Sequence, residues 1–161
     1  MRILGIDPGT RILGFSVIDI DKDTKKIDVI DKGVIRFKIF ELQHQIIFIT
    51  QELKILLEKY QPDEVAVEDI FFAYNPKSVI KLAQFRGALL LYLLQNFEKV
   101  NEYTPLQVKK AVTGNGQSKK EVVRDSIKEL FGFSDKDLKP LDISDAVAIA
   151  VTHSKSLFKD D

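Results

Sequence analysis

Acidic residues placed where an apolar segment stops are the first side chains in this sequence that could do chemistry. Asp7 ends the run Arg2-Ile3-Leu4-Gly5-Ile6, just before Pro8-Gly9-Thr10. Glu68 ends Glu64-Val65-Ala66-Val67, with Asp69 beside it. Asp142 and Asp145 are three apart at the expected start of a helix, so they share a face with Cβ atoms about 5–6 Å apart. Each also has an ordinary reading. Asp7 suits a turn before Pro-Gly, Glu68 suits a salt-bridged strand end, and Asp142 suits an N-cap with Asp145 complementing the helix dipole. The combination says more than any member. If the strands carrying Asp7 and Glu68 are neighbours and the last helix starts at their end, four like charges converge. Such a cluster is costly unless protons or cations neutralise it. Oxygen ligands without His or Cys favour Mg²⁺ or Mn²⁺ over zinc. Two such ions about 3.5–4 Å apart can activate a water and stabilise the leaving oxygen in phosphodiester hydrolysis. His153 lies nearly in line with Asp142 on that helix, but eleven residues of rise put it roughly 16 Å further along. It reads as structural.

The elements that must position these carboxylates follow from hydrophobic period and turn signals. Segments 2–6, 12–20 and 27–37 are β-branched and apolar, the first two separated by Asp7-Pro8-Gly9-Thr10, which predicts a three-stranded antiparallel meander. Residues 41–60 carry helical spacing through Leu42, Ile46, Ile49, Leu53 and Leu56, and Gln61-Pro62-Asp63 stops them. Residues 64–68 form a short strand, 75–96 a helix with Pro76 near its first position, and 99–103 a fifth strand. Helices over 105–112, 119–131 and 142–157 complete the chain. Strands and helices in this order predict an α/β fold, a mixed sheet flanked by helices. The 75–96 helix is apolar nearly all round, so one stripe packs on the sheet and another needs a cover. A second copy of the chain is the expected cover, although a helix sandwiched within one domain would present the same pattern.

Composition bounds the possibilities. The chain has 161 residues, which suits one domain over 1–161. It has no cysteine, which excludes a disulfide framework and a thiol nucleophile. The longest apolar run, 88–94, falls far short of the ~18 residues of a membrane helix, and Asp7 comes too early for a signal peptide. A soluble, cytoplasmic protein is expected. Lys plus Arg equals Asp plus Glu at 24 each, whereas nucleic-acid binders are usually basic. Binding depends on where charge sits, however, and Lys109, Lys110, Lys119, Lys120, Arg124 and Lys128 could form a basic face that the acidic stretch 19–31 offsets.

The quoted motifs carry a resemblance. Ile3-Leu4-Gly5-Ile6-Asp7-Pro8-Gly9-Thr10-Arg11 resembles the start of the RuvC family of Holliday-junction resolvases. So do Val67-Glu68-Asp69-Ile70-Phe71-Phe72-Ala73-Tyr74-Asn75, Leu82-Ala83-Gln84-Phe85-Arg86-Gly87-Ala88, Gln107-Val108-Lys109 with Gly114-Asn115-Gly116, and the stretch 142–150. Matching in order and spacing, they cover nearly the whole chain. The resemblance implies an RNase H-like homodimer that cuts four-way DNA junctions by paired symmetric nicks, leaving 5′-phosphate and 3′-hydroxyl ends. It implies Mg²⁺, two per site with Mn²⁺ able to substitute, held by Asp7, Glu68, Asp142 and Asp145. It also implies basic residues at the scissile phosphate, with Lys109 matching well and Lys120 less securely because Lys119 adjoins it. Lys109, Lys119 and Lys120 are the expected DNA contacts, together with Phe71 stacking on junction bases, and a branch-migration motor of RuvA and RuvB type is the implied partner. Asp69 departs from the family, which often has Gln there, so metal affinity or pH dependence is expected to differ. Three rivals stand beside this reading. A YqgF-type nuclease acting on ribosomal RNA shares the opening motif, but not Glu68 with Phe71-Phe72. An actin-like ATPase would need a second domain and phosphate hairpin. A non-catalytic junction-binding dimer would use the carboxylates as caps and turns, and would bind without metal or cleavage.

Overall fold

The computed structural model describes residues 1–70 and 75–158. The chain opens with β1 (Arg2–Asp7), β2 (Ile12–Ile20) and β3 (Ile27–Arg36), which pair as the expected antiparallel meander. Helix α1 (Leu42–Tyr60) leads to β4 (Glu64–Glu68), parallel to β1, and α2 (Pro76–Leu94) leads to β5 (Asn101–Tyr103), parallel to β4. The result is a five-stranded mixed sheet in the order β3-β2-β1-β4-β5. Then come α3 (Pro105–Thr113), α4 (Lys120–Phe131), a short 3-10 turn at Lys136–Leu138 and α5 (Leu141–Ser156).

The alternation of side chains along each strand sorts the two layers. Leu4, Ile6, Leu13, Val17, Val65 and Val67 share a core with Ile49 and Leu53 of α1 and Phe85, Leu89 and Leu93 of α2. The intervening residues face α5, where Ala66 packs with Val147 and Val151, and Ile3 and Ile18 pack with Ala150. Asp7 and Glu68 follow the second set in register, so both fall on the α5 side.

Helix α5 lies close to the sheet because small residues let it. A Cβ on Gly5 would stand 2.5 Å from the Ala146 carbonyl oxygen and 2.8 Å from the Ala150 Cβ. A Cβ on Gly14 would collide with the Asp142 carbonyl oxygen. Ser16 donates a hydrogen bond to the Ala146 carbonyl at 2.8 Å, in a fully buried position. Contacts from α3 and α4 cover the outer side of α5, which explains why a helix with little amphipathic pattern is buried nearly throughout.

Several boundaries differ from the sequence reading by a residue or two, and three of them have a visible cause. β5 begins at Asn101 rather than at 99, because only Asn101–Tyr103 find partners on β4 at Ala66–Glu68. α2 ends at Leu94 rather than at 96, with the Asn96 side chain donating back to the Tyr92 carbonyl. α5 begins one residue early: Pro140 occupies the N-cap and no side chain caps the helix. Asp142 is therefore not the N-cap, and its carboxylate is left available in the first turn.

Candidate active site

The ends of β1 and β4 and the first turns of α5 meet at one end of the sheet. β1 and β4 run parallel with Ile6 opposite Val67, which puts Asp7 and Glu68 next to each other where the ladder stops. Asp142 rests over Gly14, the residue paired with Asp7 across β1 and β2. Asp145 follows almost one helical turn later and faces Glu68. The juxtaposition is visible in the charges. Burial pushes Asp7 well above the usual aspartate value, and repulsion from Glu68, Asp145 and Asp142 adds to it. Burial and repulsion from Asp145 raise Glu68 to about 7. Asp145 is raised as well, first by burial and then by Asp142, against the pull of Lys120. An Asp7 that keeps its proton donates it to Glu68. Carboxylates from β1, β4 and α5 thus approach one another at this end of the sheet, and each raises the proton affinity of its neighbours.

Two lysines answer it from the outer helices. Thr104 and Gln107 form a capping box with Pro105 in the first turn, so α3 starts directly off β5 and carries Lys109 to the site. Lys120, in the first turn of α4, donates to Asp145 Oδ2 at 3.0 Å. Desolvation works to lower the Lys120 value, but the attraction of Asp145, Asp7 and Glu68 wins and it rises. Glu68, Val108, Lys109, Lys120 and Asp145 line a cleft of about 110 Å³. The structure thus separates the two adjacent lysines: Lys120 reaches the carboxylates, whereas Lys119 sits exposed at the α4 N-cap, outside that lining. Of the other basic residues, Arg124 is paired with Asp125 at 2.9 Å and Lys128 with Asp135 at 2.8 Å, so the candidate basic face narrows. Phe71 and Phe72 lie outside the described residues.

The donor set suits a hard divalent cation: several oxygen ligands, no thiol or imidazole, and a charge deficit that Lys120 relieves only in part. The carboxylates are gathered but not closed. Among the described residues, no group of three acidic or imidazole side chains stands close enough together to enclose an ion. His153 is far from them, as its position on the helix requires. It is 2% exposed, with Nε2 2.5 Å from Glu64 Oε2 and Nδ1 2.8 Å from the Tyr103 hydroxyl, and so ties α5 to the opposite end of β4 and to β5.

Sequence reasoning missed Arg86. It belongs to α2, is 6% exposed, and its Nε donates to the Glu68 main-chain carbonyl at 3.2 Å. Its Nη2 donates to Glu102 Oε2 at 2.5 Å and lies 3.6 Å from Asp69 Oδ1. The signal was available: a lone arginine inside an apolar helix must find acids on the strands it packs against. Asp69, the departure flagged above, thus faces Arg86 rather than joining the cluster.

Acidic residues at the ends of two parallel central strands and at the head of the last helix, on a sheet ordered β3-β2-β1-β4-β5, define an RNase H-like nuclease fold. The sequence pattern described as "Crossover junction endodeoxyribonuclease RuvC" matches residues 3–153, and the chain belongs to this endonuclease family. A relative of that description from Sulfurovum sp. (strain NBC37-1) is 56% identical over 153 residues, covering 95% of this chain and 94% of its own length. Another, from Helicobacter pylori (strain G27), is 53% identical over 157 residues and covers 98% of each chain. The solved structure of T. thermophilus RuvC in complex with Holliday junction substrate superposes with a TM-score of 0.86 at 29% identity, over 98% of this chain and 94% of that one. Membership of this family disfavours the YqgF-type and ATPase readings.

Proposed function

We propose that this chain is one nuclease domain that resolves four-way (Holliday) DNA junctions in homologous recombination and repair. A homodimer makes two symmetric metal-dependent nicks and leaves 5′-phosphate and 3′-hydroxyl ends. The observation that carries the reading is the convergence of Asp7, Glu68 and Asp145, all with raised proton affinity, with Lys120 bonded to Asp145 at 3.0 Å. The junction bound in the T. thermophilus structure supports the choice of substrate.

In this mechanism Asp7, Glu68, Asp142 and Asp145 would hold two Mg²⁺ ions, for which Mn²⁺ could substitute. When bound, the metal supplies Lewis-acid activation of the attacking water and stabilisation of the leaving oxygen. Lys120 holds Asp145 oriented and, with Lys109, offers positive charge to the phosphate as its own charge develops. Lys119, outside the cleft, adds a DNA contact, and Phe71 stacks on junction bases. No helix among the described residues is long and apolar enough to cross a membrane, in keeping with a cytoplasmic enzyme that works on DNA beside a RuvA- and RuvB-type motor.

Helix α2 supports the dimer. Ile80, Leu91 and Leu94 are 60%, 60% and 53% exposed, and with Ala83, Gln84 and Gly87 they form one continuous stripe. Nothing lies within 4 Å of where a Gly87 Cβ would stand, so a partner helix can approach closely at the middle of the stripe.

The test is incubation with a synthetic four-way junction, a linear duplex of the same sequence and an RNA duplex, in Mg²⁺ and in chelator. Paired nicks at symmetry-related positions in the junction alone, and only with Mg²⁺, are expected. Binding without cleavage in both Mg²⁺ and Mn²⁺ would overturn the proposal and return the carboxylates to structural roles.

A further inference from the structure

The buried guanidinium of Arg86 stands apart from the carboxylate cluster on the other face of the sheet, yet it touches the same residue. Its Nε reaches the main-chain carbonyl of Glu68, the last residue of β4. Beyond that point β4 has no further partner on β1, whose register with it ends at Ile6 and Val67. The backbone on the far side of Glu68 is held by the Asp69 amide, which donates to the Tyr103 carbonyl at 2.8 Å. Asp69 Oδ1 accepts from the Ile70 amide at 2.7 Å and faces Arg86 at 3.6 Å. Arg86 Nη2 is fastened to Glu102 of β5 at 2.5 Å. One planar group thus spans the Glu68 carbonyl, the first residue after it and the adjacent strand.

We propose that Arg86 is a positioning residue for Glu68: from the α2 side it fixes the peptide that aims the Glu68 carboxylate at the metal site. The inference rests on the proposed metal-dependent cleavage. The physical argument is one of leverage. Glu68 ends its strand beside like charges that repel it, and with the β1 pairing stopped at Val67 its backbone is held by β5 alone, so Arg86 adds a second anchor. A side chain 8% exposed, with its donors committed to a carbonyl and a carboxylate, has little freedom to move. Asp69 joins the same anchor, so it helps to hold Glu68 rather than acting as a fifth ligand.

The test compares wild type with Arg86→Met and Arg86→Lys. It measures junction affinity in chelator, Mn²⁺ affinity by calorimetry and single-turnover cleavage against Mg²⁺ concentration, with thermal midpoints as a control. For Arg86→Met, Mn²⁺ affinity and cleavage should each fall about 10-fold or more, the usual loss for an outer residue that orients a metal ligand, while junction affinity changes less than about twofold, since the guanidinium is buried and its donors are committed to Glu68 and Glu102 rather than free to meet phosphate. Lysine can keep the pair with Glu102 but cannot reach the Glu68 carbonyl at the same time. Arg86→Lys should therefore show the same split with a smaller loss of stability, and it carries the test if the methionine variant does not fold. Unchanged metal affinity and cleavage in Arg86→Lys, or equal losses of binding, metal affinity and stability, would overturn the proposal. Absence of cleavage in wild type would instead remove the proposed function.

Discussion

Glu68 is raised to about 7 from its usual 4.5, and Asp7 and Asp145 move in the same direction. The folded protein without metal therefore keeps protons that the unfolded chain has released between about 4.5 and 7. Stability from this source is fully present below the lower value and is lost as pH rises through the upper one. The thermal midpoint of the metal-free protein should accordingly decline from pH 5 to pH 8 through these groups. The gain on adding Mg²⁺ should be larger at pH 8 than at pH 5, because metal and protons compete for the same oxygens. Melting curves in chelator and in Mg²⁺ across that range check both statements, and an Mg²⁺ gain independent of pH would contradict them. The lysines make a second prediction at this scale. Lys120→Met should reduce the cleavage rate roughly 10²-fold, as for loss of one charge-stabilising donor. Lys119→Met should leave the rate near wild type and lower only junction affinity, which single-turnover assays resolve.

At the scale of elements, the site depends on how close α5 lies to β1 and β2. Gly5→Ala forces a methyl into the Ala146 carbonyl and the Ala150 side chain. It should destabilise by about 1–3 kcal/mol through overpacking. Cleavage should fall further than stability accounts for, because α5 also carries Asp142 and Asp145. Chemical denaturation and rate measurements on the same variant separate the two effects. Much of this arrangement is legible in the sequence. Asp7 and Glu68 are marked by the end of an apolar run, and helical rise alone removes His153 from the site. The head of α5 is not legible: Asp142 has the composition of an N-cap, yet Pro140 takes that position and sequence signals fix a helix end only to within a residue or two. A lone arginine in an apolar helix signals a need for acids, but which acids is not legible: Asp69 follows β4, Glu102 lies on β5, and only the folded sheet brings both to α2.

For the whole molecule, the balance of 24 basic and 24 acidic residues says nothing of where each charge sits. Arg2 with Asp19, Arg124 with Asp125 and Lys128 with Asp135 are paired within the chain. Lys109 and Lys120 instead line the cleft beside Glu68 and Asp145, a location that total charge could not reveal. The exposed α2 stripe predicts the assembly. Leu91→Asp, at a position 60% exposed in the single chain, should raise the dimer dissociation constant about tenfold or more, since an unpaired charge would be buried in the contact. Sedimentation would show monomers with an unchanged fold, and symmetric double nicking should give way to single nicks. An unaltered dimer would place the interface elsewhere.

The central claim is that carboxylates from β1, β4 and α5 act as one metal-dependent centre. Its most direct test is Asp7→Asn, assayed for junction binding in chelator and for cleavage across a Mg²⁺ titration. The account predicts retained binding and no cleavage at any Mg²⁺ concentration. Cleavage at the wild-type rate would contradict it, and would leave Asp7 a turn residue before Pro8-Gly9.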